Sequence, residues 1–328
     1  MKAPLRTVYF GSPEFAVPPL LALLADPAFD VRLVVTQAPK GQSPVERLAR
    51  SQGIAVYKPD SLRTPESRQP LVDTEPDLFV VAAFGLIFRQ RTLDIPRYGA
   101  LNIHPSPLPR YRGASPIMAA VLAGDRETGV CLMAMDTGID TGDILSFERV
   151  VVADNDTTGS LGARLADVAA RQLVRDATRW VSGELRATPQ VGVASLTRTL
   201  SKADGQIDWT RPAVELERHV RAMQPWPRAW TPAGGSNLQV LEARLAADDA
   251  AGREPGETIV ERKRLVIATG DGALELVTVE PAGRKVMSGG AYLNGLRAPI
   301  GRLGAMEPID RPPLVRPVPD GEAPEPAS

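Results

Sequence analysis

Hydrophobic and polar positions along the first half of the chain follow two alternating periods. Short runs of β-branched and aromatic residues, such as RTVYFG (6–11) and VRLVVT (31–36), predict strands. Segments with apolar residues at helical spacing, such as residues 43–53, lie between them. PDLFVVAAFG (76–85) is almost wholly apolar, which is typical of a strand buried on both faces. The alternation predicts an α/β domain with a mostly parallel sheet over residues 1–190.

The pattern changes in the second half. Residues 191–206 are polar without clear periodicity, and we interpret them as a linker. After one amphipathic helix, short β-rich segments broken by glycine and proline predict a small antiparallel barrel or sandwich over residues 207–304. Residues 305–328 are proline-rich with little to bury, so we expect a disordered tail.

Composition narrows the functional classes. The chain is 43% hydrophobic and 23% charged, as in ordinary globular proteins, and its net charge of −1 gives no global attraction for nucleic acid or membranes. The single cysteine, Cys131, excludes an internal disulfide and a cysteine-based zinc site. The first residues read as a strand rather than a signal peptide, and no apolar stretch approaches the length of a membrane span. We therefore expect a cytoplasmic protein.

One of the chain's two histidines lies in LNIHPSPLPRYRGASPI, residues 101–117. Asn102 and His104 are two apart on a predicted strand, so both side chains leave the same face. Pro105 ends that strand, which places the pair at the carboxyl end, where open α/β sheets bind ligands. Together they could polarise a carbonyl group during nucleophilic attack. The alternative is a histidine held by backbone in an ordinary loop.

A second stretch, MDTGIDTGDIL (135–145), contains the carboxylates Asp136, Asp140 and Asp143. Two Asp-Thr-Gly triplets are typical of aspartic proteases, but those enzymes take one from each of two lobes, and here both lie in one loop. The spacing does not match a calcium loop. For Asp136, a structural role in an Asx turn is a serious alternative to a functional role. For Asp140 we favour a functional role, holding His104 and relaying a proton through water.

These motifs, together with FGSPEFAVPPL (10–20) and AMQPWPRAWT (222–231), resemble the folate-dependent formyltransferases over residues 5–304. The Asn-x-His and aspartate set is shared with glycinamide ribonucleotide and sugar-nucleotide formyltransferases. The C-terminal motifs resemble those of the methionyl-tRNA formyltransferases. The resemblance implies a Rossmann-like first domain and an oligonucleotide-binding (OB)-like barrel that contacts tRNA.

The resemblance also implies a reaction and its residues. The formyl group of 10-formyltetrahydrofolate would pass to the α-amine of methionine on initiator tRNA, without a metal ion. The implied catalytic residues are Asn102, His104 and Asp140. The implied cofactor-binding residues are Ser106, Pro107, Leu108 and Pro109 in one loop, and Phe84, Gly85, Leu86 and Ile87 after a strand. A buried strand edge is an equal alternative for the second group.

Several assignments stay open. Arg110 and Arg112 could hold phosphate or glutamate carboxylates, or could staple their own loop. For each basic tRNA-binding candidate, an ordinary solvated face is the competing interpretation; the candidates are Arg198, Lys202, Arg218, Arg221 and Arg228. Trp226 and His219 are interpreted as structural. We expect a monomer.

Two features depart from the family pattern. The basic loop after the second strand is shortened here to residues 37–46, with Lys40 as its sole lysine, and Pro107 replaces the usual leucine. Two rival functions remain: formyl transfer to a small amine such as an amino sugar nucleotide, and RNA binding by an inactive formyltransferase core. A nicotinamide dehydrogenase is disfavoured, because FGSPEF lacks the glycine-rich dinucleotide fingerprint.

Overall fold

The computed structural model describes residues 3–37, 41–247, 250–261, 264–296, 300–304 and 309–319. Its N-terminal part is built on a seven-stranded sheet with the order β3-β2-β1-β4-β5-β7-β8. The strands of this part are β1 Leu5–Gly11, β2 Phe29–Val35, β3 Ala55–Tyr57, β4 Leu78–Ala82, β5 Ala100–His104, the short β6 Arg112–Gly113, β7 Glu127–Ala134 and β8 Ile144–Val151. The strands β1 to β5 pair in parallel, whereas β7 pairs antiparallel with β5 and with β8.

Helices cover this sheet. They are α1 Val17–Ala25, preceded by a 3₁₀ turn at Glu14–Ala16, α2 Pro44–Ser51, α3 Pro65–Val72, α4 Gln90–Leu93, α5 Pro116–Ala123 and α6 Thr158–Val181. Local chemistry sets several of their starts. Ser43 caps α2 by accepting a bond from the Glu46 amide at 2.9 Å. Thr157 and Ser160 form a reciprocal capping box at the start of α6. The predicted α/β architecture is confirmed.

The buried central strands explain their apolar sequence. All five residues of β4 are buried, because helices cover both faces of the sheet there. Phe10 of β1 packs edge-on against Phe79 of β4, at 5.0 Å between ring centroids, and against Phe84 and Phe88 in the segment after β4. This aromatic cluster supports the residues that follow the carboxyl end of β4.

The C-terminal part carries an antiparallel sheet with the order β10-β11-β14-β13-β12, and β15 pairs with β14. Its elements are α7 Ala213–Ala222, β10 Ala229–Ala233, β11 Ser236–Ala246, β12 Thr258–Glu261, β13 Arg264–Ala268, β14 Ala273–Pro281, β15 Met287–Ser288 and α8 Gly289–Asn294. The curled antiparallel sheet agrees with the predicted all-β second domain. A methyl group on Gly124, at the end of α5, would lie 2.3 Å from Cζ of Arg218 on α7, so glycine permits this close approach of the two parts.

The stretch between the two sheets is more ordered than expected from its sequence. Residues 191–206 contain a strand, β9 Ser195–Thr197, and a 3₁₀ turn at Lys202–Gly205. Strand β9 pairs in parallel with β6 and antiparallel with β16 Val315–Pro317. The linker is therefore the middle strand of a small three-stranded sheet.

The expectation of a disordered tail is wrong for residues 309–319. Leu314 and Val318 are buried on either side of β16. Arg311 donates from Nη1 to the carbonyl oxygens of Ala203, Asp204 and Gln206 at 3.0–3.2 Å. Proline-rich composition did not predict this, because an edge strand tolerates proline and gains its bonds from a distant partner. Residues 305–308 and 320–328 of the expected tail, and Lys40 in the shortened loop, lie outside the described residues.

Candidate active site

Strand β5 positions Asn102 and His104. It lies between β4 and β7, with Asn102 opposite Met133 and His104 opposite Cys131. His104 is 4% exposed, whereas Asn102 is partly exposed. Because β5 ends at His104, the two side chains stand at the carboxyl end of the parallel strands.

The loop between β7 and β8 brings Asp140 to this pair. Asp140 Oδ1 accepts a hydrogen bond from Asn102 Nδ2 at 3.2 Å, and Oδ2 lies 3.5 Å from His104 Nδ1. The amide of Gly113 also donates to Oδ2, at 2.7 Å. Asp140 has a left-handed backbone with φ of 50°, which is costly for a residue with a side chain and is maintained here by the surrounding bonds. The structure thus brings Asn102, His104 and Asp140 together.

The loop after β5 fixes the other side of the His104 ring. Nε2 donates to the carbonyl oxygen of Tyr111 at 2.9 Å, since a carbonyl can only accept. Tyr111 has φ of 60°, and its hydroxyl donates to Asp125 Oδ2 at 2.8 Å. Burial, with a smaller contribution from Asp125, raises the pKa of Tyr111 to about 12. The hydrogen bond between the neutral Tyr111 side chain and Asp125 therefore fixes Tyr111, whose carbonyl oxygen orients His104.

Gly113 requires a glycine for a steric reason. Its φ is 92°, and a β-carbon there would lie 2.3 Å from the carbonyl oxygen of Thr197 on β9. The close contact lets β6 pair with β9 while the Gly113 amide reaches Asp140. The approach of β9 is therefore part of the geometry around the carboxylate.

The loop Ser106–Pro109 lies beside this centre, mostly buried. The hydroxyl of Ser106, which has no exposed surface, donates to the Arg110 carbonyl at 2.7 Å, so it closes the turn instead of facing outward. Leu108 packs against Cys131 and Met133, and Pro109 is also buried. Pro107 is the residue of this loop that remains partly exposed.

Of the other predicted cofactor-binding residues, Gly85, Leu86 and Ile87 border a cleft, whereas Phe84 packs against Phe10 in the aromatic cluster. A cavity of about 690 Å³ is lined by Gly85, Leu86, Ile87, Arg63 and Thr137, among others. Thr137 belongs to the loop that carries Asp140, so this loop connects the cavity with the catalytic candidates. Among the described residues, no main-chain hydrogen bond involves residues 84–88. Within the described part of the chain, their peptide groups are therefore candidates for bonds to a ligand.

The two loop arginines are engaged inside the protein. Arg110 Nη2 donates to both carboxylate oxygens of Asp125, at 2.9–3.0 Å. Arg112 donates from Nε and Nη2 to Oε1 of Gln190, at 3.1 and 2.7 Å. Burial lowers the pKa of Arg112, although Asp140 and Asp136 oppose the shift. In this structure, both arginines therefore hold their own loop against neighbouring residues.

Asp136 shows the Asx-turn geometry that we kept as its alternative. Its Oδ1 accepts bonds from the Gly138 amide at 3.0 Å and from the Thr141 hydroxyl at 2.7 Å. These bonds shape the loop that carries Asp140 and leave Asp136 as a structural residue.

Sequence analysis missed Gln190, Ser195 and Thr197. Gln190 bonds the main chain of the Asp140 loop, while Ser195 and Thr197 bond the loop of residues 111–115. They lie in a polar stretch without periodicity, where no local pattern marks them. A polar side chain in such a stretch becomes interpretable only when its distant partners are known.

Most of the basic tRNA-binding candidates are already paired. Arg198 forms an ion pair with Asp204, Arg221 with Glu217, and Arg228 with Glu280. Arg198 holds the pKa of Asp204 down at about 2. Arg218 donates to the Ala123 carbonyl at 3.3 Å, and Lys202 is exposed, with no ion pair to any described residue. These pairings leave Lys202 as the least engaged of the five cations.

The described residues contain neither a cluster of metal ligands nor a membrane-spanning helix. They contain no group of three or more histidine, cysteine, aspartate or glutamate side chains arranged to hold a metal ion. Within the same residues, every helix is too short or too polar to cross a membrane.

Family comparisons match both parts of the chain. Residues 7–177 match the model for formyl transferase, and residues 199–297 match the model for the formyl transferase C-terminal domain. The methionyl-tRNA formyltransferase of Roseiflexus sp. (strain RS-1) is 42% identical over 311 residues, covering 92% of this chain and 96% of the relative. That of Methylococcus capsulatus is 42% identical over 312 residues, covering 92% of this chain and all of the relative.

Solved structures share the fold at lower identity. The sugar 3N-formyl transferase WlaRD superimposes with a TM-score of 0.62 at 17% identity, covering 86% of this chain and 99% of WlaRD. HypX from Aquifex aeolicus, solved in complex with tetrahydrofolic acid, gives a TM-score of 0.59 at 17% identity over 88% of this chain. This chain spans about half of HypX, 47% of its length.

Proposed function

The chain belongs to the formyl transferase family, and from that premise we propose that it transfers the formyl group of 10-formyltetrahydrofolate to the α-amine of methionine on initiator tRNA. The observation that carries the proposal is the convergence of Asn102, His104 and Asp140 in a chain 42% identical to methionyl-tRNA formyltransferases over both of its parts. In the reaction, the amine nitrogen bonds to the formyl carbon, the bond from that carbon to N10 of the folate breaks, and one proton passes from the amine to N10.

Asn102 is placed to bind the formyl oxygen. Its Nδ2 carries two hydrogens, and one of them is used by Asp140. The second can donate to the oxygen as negative charge develops there, without losing the first bond. Such preorganised donors stabilise the transition state, because they need no reorientation during the reaction.

We propose that Asp140, positioned by His104, accepts the proton that the attacking amine releases. The carboxylate of Asp140 is partly exposed, at 16%, and can accept a proton from the amine through a water molecule. Protonated His104 would place a positive charge beside the developing oxyanion. Because both ring nitrogens face protein acceptors, the ring holds one orientation relative to Asp140. This arrangement makes His104 an anchor for the carboxylate.

The cleft beside this centre fits a folate. The peptide groups of residues 85–87, which bond no described main-chain group, can bond the edge of a pterin ring, and Leu86 and Ile87 supply apolar surface. In the Ser106–Pro109 loop, the partly exposed Pro107 is the residue that we propose contacts the folate. Arg63 and Arg89 also line the cavity, where they can attract glutamate carboxylates.

The C-terminal part is proposed to contact tRNA. Lys202 is the candidate of choice, since its charge is not neutralised by a described acid. For Arg198, Arg221 and Arg228, a phosphate would have to compete with an existing carboxylate partner. We further propose that the enzyme acts as a monomer, because one chain carries the complete set of catalytic candidates, and that it acts in the cytoplasm, where charged tRNA is used.

The test is a formylation assay with the purified chain, 10-formyltetrahydrofolate and methionyl-initiator tRNA. We expect N-formylmethionine to form, and to form much more slowly with methionyl-elongator tRNA as the matched control. Formylation of an amino sugar nucleotide without formylation of tRNA would reject the tRNA substrate while keeping the chemistry. Absence of turnover with any amine would reject the enzyme function and favour an RNA-binding protein.

A further inference from the structure

We propose that Gln190 is a positioning residue for the formyl transfer, and that residues 188–197 hold both sides of the active site in register. The inference rests on the proposed function and extends it to a residue of the segment that leads from the first part of the chain to the second. Gln190 does not contact the reacting atoms. It acts through the main chain that carries Asp140.

The side-chain amide of Gln190 uses both of its polar atoms. Nε2 donates to the carbonyl oxygens of Asp140 and Gly142, each at 2.8 Å. Oε1 accepts from Nε and Nη2 of Arg112, at 3.1 and 2.7 Å. The amide has one orientation that satisfies all four bonds, since carbonyls only accept and a guanidinium only donates. Glutamate or leucine at this position can make neither of the two donations, because neither side chain carries an N–H group.

These bonds act at a point where the backbone has little freedom. Asp140 holds its left-handed φ of 50° against an intrinsic steric cost. A β-carbon at Gly142 would lie 1.8 Å from the Ala134 carbonyl, so the loop folds back closely on β7. Thr188 closes the arrangement by exchanging two main-chain bonds with Ile144, at 2.8 and 2.9 Å. The segment 188–190 therefore fastens the Asp140 loop from Asp140 to Ile144.

The same segment continues to the other side of His104. The amide of Tyr111 donates to Oγ of Ser195 at 2.9 Å, and Thr197 Oγ1 donates to the Arg112 carbonyl at 2.8 Å. Tyr111 in turn supplies the carbonyl that fixes His104 Nε2. One continuous segment thus sets the position of the carboxylate facing Nδ1 and of the carbonyl facing Nε2.

Two substitutions separate the contributions. Gln190→Leu removes all four bonds, whereas Gln190→Glu keeps the acceptor for Arg112 but loses the donor to the two carbonyls. The matched control is Gln172→Leu, because buried Gln172 also donates from Nε2 to two groups of a strand pair, Ser146 Oγ and the Val130 carbonyl. Each protein is assayed for tRNA formylation below its melting temperature, with kcat, both KM values and the pH dependence of kcat recorded.

We expect kcat to fall about 100-fold in both Gln190 variants, as for a catalytic group displaced by about an ångström, with both KM values within about threefold of the unsubstituted protein. The pH profile of kcat should also change, because the group proposed to accept the proton is displaced from the reacting amine. Gln172→Leu should leave kcat and the profile unchanged, even if its melting temperature falls. Gln190→Glu with normal kcat, or a loss confined to KM, would overturn the inference. The unsubstituted protein's product formation tests the proposed function separately, so the two failures are distinguishable.

Discussion

The chain's two histidines occupy regions that look alike by burial and differ in charge. His104 at the end of β5 and His219 on α7 are each 4% exposed, and each places Nε2 near a backbone carbonyl, of Tyr111 at 2.9 Å and of Gly205 at 3.4 Å. A carboxylate stands 3.5 Å from the other nitrogen of His104. Equal burial therefore does not distinguish a functional histidine from a structural one.

The surroundings of His219 favour the neutral ring. Burial, supported by the charges of Arg311 and Arg211 and opposed by the Gly205 carbonyl and Asp204, lowers its pKa to about 4. His104 instead stands beside Asp140 and Asn102, and the loop that carries Asp140 also lines a cleft at Thr137. The nearby charges and access to a ligand separate the two residues, and this difference can be tested directly.

The largest expected effect comes from substituting each histidine with asparagine. His104→Asn should lower kcat/KM for tRNA formylation about 1,000-fold, within the range for removing a group that acts in proton transfer. His219→Asn should stay within about threefold of the unsubstituted protein, since it removes no group near the reaction. Steady-state formylation rates, with circular dichroism to verify folding, give both values. Equal losses in the two variants would break the comparison.

The next effect is on stability as a function of pH. The folded protein keeps His219 neutral down to a pH of about 4, whereas the unfolded chain takes up the proton below about 6.5. Between those values the unfolded state binds more protons, so this residue makes stability fall as pH falls, by on the order of 3 kcal/mol in total. Urea unfolding from pH 7 to pH 4 measures the slope. His219→Asn should give a shallower curve over this window, and parallel curves would contradict the assignment.

The smallest effect concerns the C-terminal strand segment. Arg311→Leu should raise the pKa of His219 by less than about one unit, because burial is the larger cause of the depression and the arginine charge the second. An NMR titration of the imidazole resonances measures the shift. Arg316→Leu serves as the control, since Arg316 is exposed on the same segment and is not among the charges acting on His219. A pKa unchanged by Arg311→Leu would show that burial alone sets it.

Local sequence pattern predicted much of the fold. Apolar runs and helical periods marked elements of the first part, such as β1, β2, α2 and β4. The antiparallel character of the second sheet also followed from its short strands and their glycine and proline breaks. These features are predictable because each depends on neighbouring residues within one element.

The sequence predicted the three catalytic candidates but not the residues that hold them in position. Asn102 and His104 were paired because residues two apart on a strand share a face, and Asp140 followed from its chemistry and the family resemblance. The roles of Tyr111 and Gln190 could not be predicted in this way. Their bonds join residues separated by seven and by about fifty positions, and neither has a periodic signature.

The sequence by itself determined which residue types could perform the reaction, and which segments would become strands and helices, because composition and periodicity act locally. Tertiary structure alone decided that Gln190 and the segment after it hold the Asp140 loop in place. It also decided that residues 315–317 form a strand that pairs with β9. It also decided that buried His219 lies beside Arg311 while buried His104 lies beside Asp140. The physical reason is that hydrogen bonds and charge interactions depend on distance in space, which the folded chain sets independently of distance in sequence.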